Sequence, residues 1–186
     1  MITIVYCHPY DKSFNHTILN EIIRKLADNG RDYTVINLYD DKFDPVLGVN
    51  ELALYSSGKT DDELTRQYQK TLTETEQLIY IFPIWWGMMP AMLKGFIDKT
   101  FLKGTIYDTL PEGGIVPCID INHTTLITTS QQESAVIAPF IEGYFIPQVL
   151  EAVGMNNVTW HNCPRTSTGD NAHRQAFIDE ILEDLM

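Results

Sequence analysis

The chain has 186 residues, 44% hydrophobic and 20% charged, enough apolar material for one well-buried globular domain, which excludes intrinsic disorder and collagen-like structure. Thirteen Lys and Arg against twenty-five Asp and Glu give a net charge of −12, a field that repels nucleic acid and anionic membranes, so any anionic ligand must be held by a local site. No apolar run approaches the roughly 20 residues of a membrane span, and Met1 leads into Ile-Thr-Ile-Val without the basic region of a signal peptide, so a cytoplasmic protein without direct membrane insertion is expected.

Residues 2–7 form a short, β-rich apolar run that reads as a buried strand and stops at His8-Pro9. From Phe14 onward Ile18, Leu19, Ile22, Ile23 and Leu26 recur at helical spacing, with Ser13 or Asn15 able to cap the start and Asn29-Gly30 placed to end it. Residues 33–38 read as a second strand, and the strand-helix-strand crossover implies parallel pairing. Residues 39–60 lack sustained periodicity apart from a short turn at 51–55, and a loop this long points to function. A helix over 61–76 through Leu64, Tyr68 and Leu72 precedes a third strand at 78–82. After Pro90, Met92, Leu93, Phe96, Ile97 and Phe101 make one apolar helix face, expected to end near Lys103-Gly104.

Residues 105–122 hold Pro111, Gly113-Gly114 and Pro117 and suit a loop or small hairpin. Thr, Leu and Ile make 123–129 a fourth strand. A helix over 134–153 follows, with Pro139 and Pro147 each able to break it in two. Residues 157–161 read as a fifth strand, and 171–185 as a terminal helix with Ala172, Phe177, Ile178, Ile181 and Leu185 inward. Five strands alternating with helices predict one α/β domain over 1–186, a doubly wound five-stranded parallel sheet with helices on both faces; the eight units of a barrel would not fit. Ligands of such sheets bind beyond the carboxyl ends of the strands, which singles out loops 8–15, 83–90 and 129–134.

In the first loop, His8, Lys12, Ser13, Phe14 and Asn15 lie between a strand and a helix N-terminus, where unpaired N–H groups and the helix dipole favour a phosphate. Ser13 and Asn15 can add hydrogen bonds, and His8 or Lys12 a charge. Neither GxxxxGK[ST] nor GxGxxG is present, and a simple helix cap beside a satisfied strand-end histidine also explains these residues. The second loop, Pro83-Ile84-Trp85-Trp86-Gly87-Met88-Met89-Pro90, offers a flat apolar wall that a planar ligand or a second subunit would cover, with Gly87 allowing close approach to the backbone. Ordinary core or interface packing is the alternative for its indoles. Thr128, Thr129, Ser130, Gln131 and Gln132 carry hydroxyls and amides able to bond ring carbonyls and nitrogens, or merely to cap a helix. Together the loops supply a phosphate holder, a ring wall and a polar rim, the parts a mononucleotide needs.

Other chemistry finds less support. There is no GxSxG elbow, and His8, His16, His123, His161 and His173 show no metal-ligand spacing, so neither acyl transfer nor a metal is expected. Cys7, Cys118 and Cys163 are odd in number and lack a CxxC, which argues against a disulfide framework or a zinc site.

At these residues the chain resembles the flavodoxin-like NAD(P)H:quinone oxidoreductases of the diaphorase type, with relatives that act on potassium-efflux systems. The resemblance is carried by His8 with Ser13-Phe14-Asn15, by Leu38-Tyr39 with Phe43 and Pro45, and above all by the run from Phe82 to Lys99. It implies that His8, Ser13, Phe14 and Asn15 contact the phosphate arm of a flavin, that Pro83, Ile84, Trp85, Trp86 and Gly87 pass along its isoalloxazine, and that Thr128, Thr129 and Ser130 lie beside the ring. Ser130-Gln131 stand where the family has two glycines. No match is found for the Tyr and His with which larger diaphorases steady charge on the reduced ring, so catalytic side chains stay unassigned. Without the C-terminal extension of larger members FMN is expected, with FAD open. The resemblance further implies NAD(P)H as co-substrate, a quinone or similar planar acceptor, ping-pong hydride exchange through one slot, and a homodimer. The competing reading is a flavin-binding accessory subunit of a potassium-efflux transporter.

Overall fold

A computed structural model, which describes residues 1–185, orders the chain as β1 (Ile2–Tyr6), α1 (Phe14–Asp28), β2 (Tyr33–Asn37), α2 (Val49–Tyr55), α3 (Glu63–Thr73), β3 (Gln77–Pro83), α4 (Ala91–Thr100), β4 (Tyr107–Thr109), β5 (Ile115–Pro117), β6 (His123–Thr129), α5 (Ser134–Phe140), β7 (Val158–Cys163) and α6 (Asn171–Asp184). Five strands pair in parallel in the order β2-β1-β3-β6-β7, and β4 and β5 form a separate antiparallel hairpin. The chain winds outward in both directions from β1 and β3, so a crevice opens beyond the carboxyl ends of these two strands.

A strand covered by helices on both faces must be apolar on both, and every residue of β1 is buried. Alternation divides the core in two. Val5, Tyr80, Phe82 and Leu126 face Leu72, Leu93, Phe96, Ile141 and Phe145. On the opposite face Ile4, Tyr6, Ile79 and Ile127 meet Ile18, Leu19 and Ile22 of α1 and Phe177, Ile178 and Ile181 of α6. Ala172 is exposed, contrary to expectation, because four-residue spacing back from Phe177 and Ile178 turns positions 173 and 174 inward.

Three further expectations are corrected. The turn at 51–55 is part of α2, a helix that buries none of its own residues. It is held through Lys99, whose side chain is 4% exposed and whose ammonium lies 3.0 Å from Glu51 and 2.9 Å from Asp62 while donating to Asp44 O at 2.9 Å. Helix α4 ends at Thr100 rather than near Gly104, because Phe101 leaves helical geometry at ψ 76° while staying buried. Neither Pro139 nor Pro147 breaks the chain after β6. Helix α5 continues through wider π turns at Ile141–Leu150 and a 3₁₀ turn at Glu151–Val153, a change of hydrogen-bond spacing that keeps it helical past both prolines. The resulting 20-residue run, Ser134–Val153, has a mean hydropathy of 1.3 and by length and composition could cross a membrane, which the sequence reading overlooked. In this fold Ile137, Ile141, Phe145 and Leu150 sit in the core.

Candidate functional site

Beyond the carboxyl ends of β1, β3 and β6 lies a cleft of about 780 Å³. Its lining includes His8, Ser13, Phe14 and Asn15 from the first loop, Pro83, Ile84 and Trp85 from the second, and Thr129, Ser130 and Gln131 from the third. Nine of the twelve site residues expected from sequence therefore converge: His8, Ser13, Phe14, Asn15, Pro83, Ile84, Trp85, Thr129 and Ser130.

Ser13, not Asn15, caps α1: its Oγ accepts the His16 N–H at 3.1 Å. That leaves Asn15 for another task. It is 3% exposed, and its Nδ2 donates to Thr129 Oγ1 at 2.7 Å, tying the start of α1 to the end of β6. Its Oδ1 is buried without a partner among the described residues. A buried acceptor without a donor beside a cleft marks where a ligand or water hydrogen bond belongs.

His8 packs edge-on against Trp85, ring centroids 5.8 Å apart, and its Nδ1 accepts the Tyr10 N–H at 3.1 Å. The neutral ring then carries its proton on Nε2, as a donor. Burial lowers the His8 pKa from its ordinary 6.5. The unfolded chain thus binds a proton that the folded chain refuses, so stability should fall as pH drops below 6.5. Urea unfolding between pH 7.5 and 5 should show a shallower loss for His8→Gln; identical slopes would mean that His8 contributes nothing to it.

Trp85 and Met88 exchange backbone hydrogen bonds of 2.9 and 3.1 Å around Trp86 and Gly87, whose φ angles are 53° and 76°. Positive φ at both central residues defines a tight hairpin turn of the I′ kind, unusual for an indole-bearing residue. It sets Pro83, Ile84 and Trp85 on the cleft wall and turns the next two residues away. Trp86 and Gly87 therefore do not line the cleft as expected, and the Trp86 side chain is 102% exposed.

Strand alternation corrects the third loop as well. Thr128 faces the opposite side of the sheet from Thr129, fully buried, accepting from Trp160 Nε1 and donating to Asn162 Oδ1, both at 2.9 Å. The Ser130 hydroxyl, at the cleft, donates to Gln132 O at 2.6 Å and accepts from Asn162 Nδ2 at 3.1 Å.

A fourth contribution was not foreseen. Thr166 and Ser167, after β7, and Asn171, Arg174, Gln175 and Ile178 of α6 complete the lining. Thr166 binds Ser130 O through both its N–H and its hydroxyl at 2.9 Å, while Arg174 Nη2 donates to Thr166 O at 2.8 Å and its guanidinium lies over the Phe14 ring at 5.9 Å. The signal was Thr166-Ser167-Thr168-Gly169 after a strand, obscured because that strand runs to Cys163 instead of stopping at His161. No thiol here is a ready nucleophile: burial raises the Cys7 pKa to about 12 and that of Cys163 to about 11.

The sequence profile of a family described by its flavodoxin-like fold matches residues 1–185. The chain belongs to this family. Among solved structures, Smu.1420 from Streptococcus mutans UA159 is 29% identical with a TM-score of 0.85, covering 98% of this chain and 97% of that one. An NAD(P)H:quinone oxidoreductase from Methanothermobacter marburgensis is 25% identical with a TM-score of 0.87, covering 98% and 95%. An uncharacterized NAD(P)H oxidoreductase of Haemophilus influenzae is 29% identical over 107 residues, 57% of this chain and 52% of the relative. The chain spans about half the length of the curated relatives it matches.

Proposed function

We propose that this flavodoxin-like protein is a flavin-dependent NAD(P)H oxidoreductase acting on quinones or similar planar acceptors. The observation that carries the reading is the cleft, where a capped helix N-terminus, an indole wall and a buried acceptor without a donor among the described residues meet at the switch point of the sheet. The similarity to the NAD(P)H:quinone oxidoreductase of Methanothermobacter and the NAD(P)H oxidoreductase of Haemophilus supports the same reaction class.

When bound, a flavin supplies the two-electron chemistry, taking hydride from a reduced nicotinamide and giving it to the acceptor. The chain's own residues bind and orient. Ser13 and the first amides of α1 would hold the phosphate, with Lys12 adding positive charge. Asn15 Oδ1 would accept from a hydroxyl of the sugar-like arm, and Pro83, Ile84 and Trp85 would back the ring. FMN is the proposed cofactor; an adenosine arm, if FAD is bound, would follow the lining past Phe14 to Gln175 and Ile178.

A second copy of the chain would cover the exposed Trp86 and Met88, the latter 50% exposed, and sedimentation of the purified protein should accordingly report a homodimer. Trp86→Ala is expected to weaken that dimer about tenfold while leaving the protomer folded, since the side chain has little to lose on the protein's own surface. An unchanged dimer dissociation constant would remove Trp86 from the interface. The decisive test of the reading is the visible spectrum of the purified protein, chromatography of the released flavin, and anaerobic titration with NADH and with NADPH. A colourless protein that takes up neither FMN nor FAD overturns it.

A further inference from the structure

We propose that Gln131 is a cofactor-contacting residue whose side-chain amide reads the pyrimidine edge of the flavin ring, an inference that rests on the flavin reading above. At the end of β6 few polar side chains are free to do this. Thr128 faces the other side of the sheet, bonded to Trp160 and Asn162. The hydroxyl of Ser130 is committed to Gln132 O and receives Asn162 Nδ2, and Thr129 Oγ1 already receives Asn15 Nδ2. Gln131 differs from all three. It is exposed, it lines the same cleft as Trp85, and its side-chain amide has no hydrogen-bond partner among the described residues.

The base beneath it is rigid. Ser130 N donates to Cys163 O at 2.9 Å, Ser130 O receives both the N–H and the hydroxyl of Thr166, and Ile84 N donates to Thr129 O at 2.8 Å. Loops from β3, β6 and β7 thus fix the backbone immediately before Gln131, leaving its side-chain torsions as the main freedom. A primary amide has a donor and an acceptor side by side, the complement of the adjacent C=O and N–H on a uracil-like edge. A hydroxyl cannot satisfy both at once in that geometry. The chain therefore places a two-point reader at the end of β6, where the neighbouring side chains of Thr128, Thr129 and Ser130 are already occupied.

Two neutral hydrogen bonds of ordinary strength correspond to roughly tenfold in affinity. The test is equilibrium binding of oxidised FMN and of N3-methyl FMN, which lacks the ring donor, to the flavin-free protein and to Gln131→Ala, followed by quenching of flavin fluorescence. Wild type should bind FMN about tenfold tighter than the methylated analogue, and Gln131→Ala should bring that ratio close to one by weakening FMN alone. An unchanged ratio in Gln131→Ala overturns the assignment and leaves the flavin reading intact. Failure of wild type to bind either flavin overturns both. Gln131 is exposed, so the variant's thermal unfolding should match wild type, and a matched melt confirms that the ratio reports recognition.

Discussion

Gly95→Val should lower the melting temperature by roughly 6–12 °C, the shift that about 3 kcal/mol produces in a chain of this size. A Cβ at Gly95 would stand 2.2 Å from Pro45 O and 2.3 Å from Pro45 Cβ. The backbone at Gly95 is ordinary helix, so the glycine is required by space and not by conformation. Pro45 cannot simply retreat. Phe43 is wedged against Tyr68 and Phe96 with ring centroids at 5.6 and 6.3 Å, and Tyr68 donates to Asp41 at 2.9 Å. Lys99, one turn beyond Gly95 on the same face of α4, holds Asp44 O, Glu51 and Asp62. The strap over 39–62 is fastened on both sides of the contact, and the clash has to be absorbed by α4 or by the loss of these bonds. Calorimetry of the variant checks it; an unchanged transition would mean that the strap is loosely held.

The parallel sheet was legible because strands buried on both faces leave continuous apolar runs, and the run of β1 stops just before Pro9. Its loops were legible for the same topological reason. What sequence reading missed depends on tertiary partners. Nothing local in Val49–Tyr55 shows that an ionic hub at Lys99 would stabilise a helix with no buried side chain. Thr128 and Thr129 are chemically the same, and only the register of β6 against β7 decides which one sees the cleft. Trp86 is drawn into any wall inferred from composition, yet one tight turn with positive φ sends it outward. The contribution of Thr166 and Arg174 was hidden by placing the end of β7 two residues too early, which moved its loop away from the rim.

Asn15→Asp should weaken FMN binding by about 100-fold or more while the protein remains folded. Asp at the second residue of α1 is favourable to the helix dipole, and the Thr129 hydroxyl, now an acceptor for Asn15 Nδ2 at 2.7 Å, can turn its own proton toward the new carboxylate. The tie between α1 and β6 is thereby kept with its polarity reversed. What changes is the cleft: a formal negative charge replaces a neutral amide whose Oδ1 lacks a partner among the described residues, beside the helix N-terminus proposed to receive a phosphate. Two like charges about 4 Å apart at the intermediate dielectric of a partly open site repel by about 4 kcal/mol, more than the loss of any single neutral hydrogen bond. Riboflavin, which has the ring and arm without the phosphate, separates charge from shape. Its affinity should change by less than about fivefold in the variant, because a carboxylate oxygen still accepts from a hydroxyl of the arm. Equal losses for FMN and riboflavin would place the defect in the shape of the cleft, and equal retention of both would move the phosphate away from α1, toward Arg174 on the α6 side of the lining.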